Sequence, residues 1–156
     1  MNAARLHLLV NHFPIIVTYF STLLIVMGLI FKNETIKNTG LVFFIIAALF
    51  AIPALLSGDG AEDVLESIGQ KNEHFIHSHE EIADNVFWFT QAIGLISLTA
   101  LIVRIRQKKP MKALLIIILL TGLLNCIGMI FVGNTGGLIR HTEIRDAAQN
   151  SPDDSD

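Results

Sequence analysis

Hydrophobic residues fall into four long runs that are separated by shorter polar segments. The runs cover about residues 8–31, 39–57, 85–103 and 113–132. Each run is close to the ~20 residues that an α-helix needs to cross ~30 Å of hydrocarbon. A bilayer offers the backbone no hydrogen-bond partner except itself, so these runs must be helical. The pattern predicts an all-α fold, an integral membrane four-helix bundle.

The polar segment between the second and third spans, residues 58–84, has a pattern of its own. Gly58 and Gly60 can end the second span. The apolar positions that follow recur at helical spacing, at Ala61, Val64, Leu65 and Ile68. We therefore expect an amphipathic exterior helix between spans 2 and 3. A second helical pattern begins after Gly69 and continues into the third span.

The composition is typical of a membrane protein with one domain: 156 residues, 52% hydrophobic and 16% charged. We assign residues 1–146 to a four-span transmembrane domain. The acidic tail, residues 147–156, has almost no apolar residues and is predicted to be disordered. The net charge of -3 and the lack of an exposed basic domain argue against nucleic acid as a partner. The sequence has no nucleotide-binding or Ser-His-Asp pattern, which favours a redox carrier over an enzyme.

Positive charges are concentrated in two of the three segments that connect the spans. The link after the first span and the link after the third together hold seven of the eleven Lys and Arg residues. These seven are Lys32, Lys37, Arg104, Arg106, Lys108, Lys109 and Lys112. Cytoplasmic loops carry an excess of Lys and Arg, so we expect both links to be cytoplasmic. The sequence thus predicts a multi-pass protein of the bacterial inner membrane with both termini in the periplasm.

All six histidines are predicted to lie at the exterior end of this bundle. His7 and His12 precede or open the first span, and His141 follows the fourth. The other three, His74, His77 and His79, lie in the exterior loop. Imidazole in or beside a bilayer is costly, so a shared cluster of this kind indicates a functional site.

One interpretation of the cluster is a site for one b-type haem. Such a haem needs two neutral imidazoles from facing helices, an apolar space for the macrocycle and an aqueous edge for its propionates. His79 lies on the apolar stripe that leads into the third span, and Arg140 can pair with a propionate. The candidate cofactor-binding residues are His7, His12, His79, His141 and Arg140.

A second interpretation is a non-haem site for a divalent metal ion such as zinc, iron, manganese or copper. Residues 58–84 contain eight acidic residues and the single base Lys71. Mixed imidazole and carboxylate ligands suit such ions. The candidate ligands are His77, Glu80, Glu81, Asp59 and Asp63. The helix face that carries His77 and Glu81 is opposite the apolar stripe, so we expect it to meet water.

A third interpretation is a structural subunit that docks a periplasmic redox partner. In that case the histidines lie in the polar interface of the membrane and bind nothing beyond neighbouring backbone and carboxylate groups. A homodimer is a further arrangement that the sequence leaves open. The lipid bilayer is the one partner common to all three interpretations.

Four short motifs resemble a widespread bacterial family of uncharacterised four-span membrane proteins. The segment LHLLVNHFPI at residues 6–15 is similar to the opening signature of that family, in which a His is followed five residues later by His-Phe-Pro. The segments SGDGAEDV at 57–64, HSHEEIA at 77–83 and GGLIRHTEIR at 136–145 resemble its later motifs. The chain departs from the family at Leu8, where proline is common, so the start of the first helix is expected to differ.

The resemblance carries implications for function. Relatives in this family are joined to Rieske iron-sulfur or cytochrome c modules, which implies membrane electron transfer with haem or quinone. Carried over residue by residue, it points to His7, His12, His79 and His141. Residues 1–156 include no segment typical of a redox module, so we expect a periplasmic cytochrome, a Rieske protein or an oxidase subunit to act as a partner.

Overall fold

The computed structural model describes residues 3–67, 73–107, 112–141 and 145, and the described part is helical without strands. Six helices follow one another along the chain. They are α1 (Ala3–Val10), α2 (His12–Ile30), α3 (Glu34–Leu56), α4 (Gly58–Ser67), α5 (Glu73–Gln107) and α6 (Lys112–Arg140). Four helical stretches, Ala3–Ile30, Glu34–Ser67, Glu73–Arg106 and Lys112–Ile139, are long and apolar enough to cross a membrane. The predicted all-α four-helix membrane bundle is confirmed.

The four long helices form a closed ring in which α2 packs on α3, α3 on α5, α5 on α6 and α6 on α2. Large apolar side chains such as Leu23, Leu95 and Leu124 cover the outward faces, as lipid contact requires. The apolar core is Ile25, Leu41, Phe44, Ile93, Ala100, Leu115 and Ile118. These residues lie near the end of α2 and the starts of α3 and α6, so the core fills one half of the bundle.

The two ends of the bundle differ in charge and in construction. One end, here called the cationic end, carries Lys32, Lys37, Arg104, Arg106 and Lys112. The opposite end, here called the mouth, is built from α1, α4, the first turns of α5 and the last turns of α6. At the mouth α1 packs against α4, and a Cβ added to Gly60 would lie 2.7 Å from Cβ of Ala3. Glycine permits this close approach because it has no side chain.

Two of the long stretches are interrupted by a single residue where they reach the mouth. Asn11 separates α1 from α2 although its backbone keeps α-helical angles, because Pro14 has no N–H to give to the carbonyl four residues before it. The stretch from α3 to α4 turns at Ser57, whose N–H donates to the Pro53 carbonyl. The first span was predicted as one run, 8–31, and the structure divides it in two and begins it earlier, at Ala3.

The glycines of the spans allow close helix contact, as expected for packing in a membrane. A Cβ at Gly122 would lie 2.7 Å from Cζ of Phe44, and a Cβ at Gly128 would lie 2.8 Å from Val86. The closest approach is between Gly94 and Ala48, where the added Cβ would be 2.5 Å from the alanine Cβ. These contacts let α5 and α6 pack against their neighbours at short range.

At the cationic end Glu34 links α3 to α5. Its carboxylate accepts from Nζ of Lys37 at 2.6 Å and from Nη2 of Arg104. Nε of Arg104 also donates to Oδ1 of Asn38 at 2.9 Å. Both cationic side chains are buried and therefore need these partners.

The short amphipathic helix predicted between spans 2 and 3 is confirmed as α4, and the pattern predicted to run into the third span is confirmed as the first turns of α5. Ile68 and the tail at 147–156 lie outside the described residues. The fourth helix differs from its prediction, because α6 continues beyond residue 132 to Arg140. It does so through Gly133, Gly136 and Gly137, which remain helical although glycine commonly ends a helix in sequence patterns.

Candidate functional site

A cavity of about 520 Å³ opens at the mouth and extends into the bundle. We call it the mouth cavity. Its walls come from α1, α2, α3, α4, α5 and α6, and they include His7, His12, His79 and His141. The structure therefore brings together four histidines whose positions range from residue 7 to residue 141.

The mouth cavity is polar at its rim and largely apolar inside. Ile15, Ala51, Val86 and Met129 are among the apolar residues of its inner wall. Its deepest described lining residue on α5 is Thr90, which lies eleven residues beyond His79. At ~1.5 Å rise per residue this is about 16 Å, or roughly half of the ~30 Å hydrocarbon thickness.

His7 is held by a hydrogen-bond arrangement that fixes where its proton lies. Its Nδ1 is 3.1 Å from the Ala54 carbonyl and 3.1 Å from Oγ of Ser57. The Ser57 hydroxyl donates its one proton to the same Ala54 carbonyl, at 3.0 Å. Both neighbours of Nδ1 are therefore acceptors, so Nδ1 carries the N–H. The neutral ring then keeps its lone pair on Nε2.

His79 is held in the same way from a different helix. Its Nδ1 is 2.9 Å from Oγ1 of Thr135, and that hydroxyl also lies 2.9 Å from the Phe131 carbonyl and 3.2 Å from the Val132 carbonyl. When the threonine proton goes to one of these carbonyls, its oxygen accepts the His79 Nδ1–H, and Nε2 keeps its lone pair. Gly136 makes room for the ring, since a Cβ there would lie 3.2 Å from Cε1 of His79.

The two rings occupy positions on helices that do not pack against each other. His7 belongs to α1, which packs on α2, α3 and α4, and His79 belongs to α5, which packs on α3 and α6. Both are half-buried, and both line the mouth cavity. An imidazole whose Nδ1–H is bonded to an oxygen can bind a metal ion through Nε2. The hydrogen bond fixes the orientation of the ring and therefore the direction of the Nε2 lone pair.

The other candidate cofactor-binding residues lie at the rim. His12 and His141 line the mouth cavity and are exposed. Arg140 ends α6, and its side chain lies outside the described part of the structure. Its predicted contact with a propionate stays a prediction.

The predicted metal ligands are divided between two places. Asp59 and Glu80 line the mouth cavity, whereas His77 and Glu81 line a separate shallow depression on the outer face of α5. Asp63 is exposed on α4. Within the described ranges, no three His, Cys, Asp or Glu side chains are arranged to hold a metal ion.

Several residues of the site were not singled out from the sequence. Ser57 and Thr135 position the two histidines, and their partners lie about fifty residues away in the chain. Asn11 lines the mouth cavity, and its buried Oδ1 has no hydrogen-bond partner. Serine, threonine and asparagine are common in spans, so composition alone does not distinguish these positions.

Two polar residues of α6, Thr121 and Asn125, differ in whether they bond to a neighbouring helix. Asn125 does so, because its Nδ2 donates to Oγ1 of Thr90 on α5 at 3.0 Å. Thr121 does not, because its hydroxyl bonds to the Ile117 and Ile118 carbonyls of its own helix.

Comparisons of the chain with protein-family models, curated proteins and solved structures find no match.

Proposed function

We propose that the protein is a small redox carrier of the membrane that holds one b-type haem in the mouth cavity, with His7 and His79 as the residues that would bind its iron. The observation that carries this proposal is the shared arrangement of the two imidazoles. Nδ1 of each ring lies within 3.1 Å of an oxygen that can accept its N–H, and this tautomer leaves the Nε2 lone pair available as a ligand. Neutral imidazoles with a fixed tautomer are the ligands that haem iron takes in a membrane bundle.

The shape of the mouth cavity supports a flat apolar cofactor. Its volume of about 520 Å³ is within the ~300–1,000 Å³ that is usual for small-molecule sites. One wall is formed by Gly133, Gly136 and Gly137 of α6, and a Cβ added to Gly133 or Gly137 would meet nothing within 4 Å. A wall without side chains lets a planar ring lie close to the helix backbone.

A bound haem would supply reversible one-electron transfer through its iron. The residues of this chain would fix its position and its surroundings. Ser57 and Thr135 orient the two imidazoles, and the apolar residues of the inner wall exclude water from the macrocycle. The polar rim would accommodate the propionates, with Arg140 as their predicted partner.

The proposal includes the orientation of the bundle. The mouth would face the periplasm of a bacterial inner membrane, because the cationic end carries the Lys and Arg excess of a cytoplasmic face. A periplasmic redox protein would then exchange electrons with the haem. Reporter fusions to the two termini test the orientation, since both are expected on the periplasmic side.

The test of ligation is the haem content of purified variants. His7→Ala and His79→Ala are each expected to lose at least nine-tenths of the haem bound by the wild-type protein. His77→Ala is the matched control, since His77 lies two residues from His79 but on the outer face of α5. Equal haem content in all three variants would remove His7 and His79 from the ligand set.

A non-haem metal is the competing occupant of the same cavity. Elemental analysis of protein purified without chelator separates the two occupants. An iron content equal to the haem content, with no other metal, supports the proposal. Stoichiometric zinc or manganese without haem would replace it with the metal interpretation, for which Asp59 and Glu80 at the rim are the available carboxylates.

A further inference from the structure

The floor of the mouth cavity is polar although it lies near the middle of the membrane. Thr90 of α5 lines the cavity, and Asn125 of α6, one turn below the lining residue Met129, bonds to Thr90. Thr18 of α2 lies one turn below the lining residue Pro14. All three polar residues of the floor are almost completely buried, with at most 1% of their surface exposed.

The bonds among these side chains do not satisfy their hydrogen-bonding capacity. The Thr90 hydroxyl has one proton, and the Val86 carbonyl lies 2.7 Å from its oxygen on the same helix. If that proton goes to Val86, then Asn125 gives one N–H to Thr90 and its own Oδ1, 3.2 Å from the same hydroxyl, receives none. In that arrangement the Asn125 amide can take one further donor and one further acceptor, whereas a proton given to Oδ1 leaves the Val86 carbonyl without this bond.

Three buried oxygens have no hydrogen-bond partner among the described residues: Oδ1 of Asn11, Oγ1 of Thr18 and Oγ of Ser97. Buried polar atoms are almost always paired with protein or with ordered water. Asn11 lines the mouth cavity and Thr18 lies one turn beyond its lining residue Pro14, whereas Ser97 lies seven residues beyond Thr90 in the apolar layer, so water is proposed for the first two alone. The cavity is large enough for on the order of ten water molecules.

Below the floor the bundle is closed by apolar side chains. Ile25, Leu41, Phe44, Ile93 and Leu115 are buried there, with 0–2% of their surface exposed. The phenyl ring of Phe44 reaches across the bundle to Gly122 on the diagonally opposite helix. No comparable layer separates Thr90 from the rim, since Thr90 itself lines the cavity.

We propose that the mouth cavity is a one-sided aqueous inlet that brings water, and with it protons, from the mouth to a polar floor of Thr18, Thr90 and Asn125 in the middle of the membrane. The ligand of the floor is water, which both donates and accepts hydrogen bonds as the Asn125 amide and the Thr18 hydroxyl require. The apolar layer beneath stops the water from crossing. This inference describes the haem-free protein, since a haem bound in the mouth cavity would displace water from it.

Cysteine accessibility along one face of α5 tests the inlet. Positions 83, 90 and 97 are seven residues apart, so each lies about 10 Å deeper than the one before on the same helix face. Each residue is changed to cysteine in a Cys126→Ala background, in membranes from haem-depleted cells. The probe is a small charged methanethiosulfonate reagent, which reacts with a thiol in water and not with one in lipid.

We expect Ala83→Cys and Thr90→Cys to react and Ser97→Cys to react at least 100-fold more slowly. Leu95→Cys, on the lipid face, serves as the unreactive control. If the Thr90 variant does not insert, Asn125→Cys reports on the same floor from α6. A floor cysteine as slow as Leu95→Cys would overturn the inlet, and a fast Ser97→Cys would overturn its closed end. Neither result changes the haem content, so failure of this inference is distinguishable from failure of the haem proposal.

Discussion

Oγ1 of Thr135 on α6 lies 2.9 Å from Nδ1 of His79 on α5 and 2.9 Å from the Phe131 carbonyl one turn earlier. With its proton on that carbonyl, the hydroxyl is an acceptor for the imidazole N–H. Ser57 has the same relation to His7, with the Ala54 carbonyl as the acceptor of its proton. Two helices thus supply the same type of support to the two proposed ligands.

Removing the Thr135 hydroxyl is predicted to weaken haem binding without removing the ligand. Thr135→Val keeps the branched shape but leaves the His79 N–H without its acceptor, and losses of this kind typically cost ~10–100-fold in metal affinity. We expect at least a tenfold weaker haem affinity in an absorbance titration of haem-free protein. Thr135→Ser keeps the oxygen and should bind haem as the wild type does.

Thr121→Val is the control for a general effect of losing a hydroxyl from α6. The Thr121 hydroxyl bonds only to carbonyls of its own helix and lies away from the mouth cavity. If Thr121→Val and Thr135→Val weakened haem binding equally, the support assigned to Thr135 would be wrong.

Gly94→Ala is predicted to destabilise the bundle by about 1–3 kcal/mol, as overpacking of a dense core does. The new methyl group would lie 2.5 Å from Cβ of Ala48, and neither group can rotate away. The measurement is the free energy of unfolding in detergent. Gly133→Ala is the matched control, because a Cβ there meets nothing within 4 Å and alanine favours the helix. A stable Gly94→Ala variant would contradict the close packing of α3 and α5.

Asn125→Ala is predicted to lower the free energy of unfolding by about 1 kcal/mol, since hydrogen bonds between membrane helices contribute on average ~0.6 and at most ~1.7 kcal/mol. The loss comes from the bond that joins α6 to Thr90 on α5. A double-mutant cycle with Thr90→Ala measures the coupling between the two side chains. Additive effects of the two changes would show that the bond does not stabilise the bundle.

Glu34→Gln is predicted to lower the stability of the cationic end by about 1 kcal/mol. The change removes the negative charge that pairs with the buried Lys37 and Arg104, but the Glu34 side chain is 62% exposed, so its environment screens the interaction. Glu81→Gln, on the exposed face of α5, should leave the unfolding temperature unchanged. Equal unfolding temperatures for both variants would contradict the role given to Glu34.

The sequence was sufficient to predict the four spans because each is a continuous apolar run of membrane length. It also predicted that His79 lies on the inward face of its helix, from the spacing of Ile76, Ala83 and Val86 around it. The continuation of α6 through three glycines was not predicted, because glycine often marks the end of a helix in the sequences of soluble proteins. In the bundle the backbone retains its helical bonds, and Gly136 contacts the His79 ring.

The support for the histidines could not be predicted from the pattern. The contact of His7 with Ser57 and that of His79 with Thr135 each join residues fifty or more positions apart. Such pairs depend on how the helices are ordered around the ring, which hydrophobic periodicity does not specify. The two contacts between Asn125 and Thr90 also join residues 35 positions apart and could not be predicted from the pattern.

The most direct test of the central claim is the dithionite-reduced minus air-oxidised absorbance spectrum of the wild-type protein, purified in detergent from haem-replete cells. The account predicts sharp bands of a low-spin b-type haem at about one haem per chain. A flat difference spectrum from correctly folded protein would contradict the claim that His7 and His79 hold a haem in the mouth cavity.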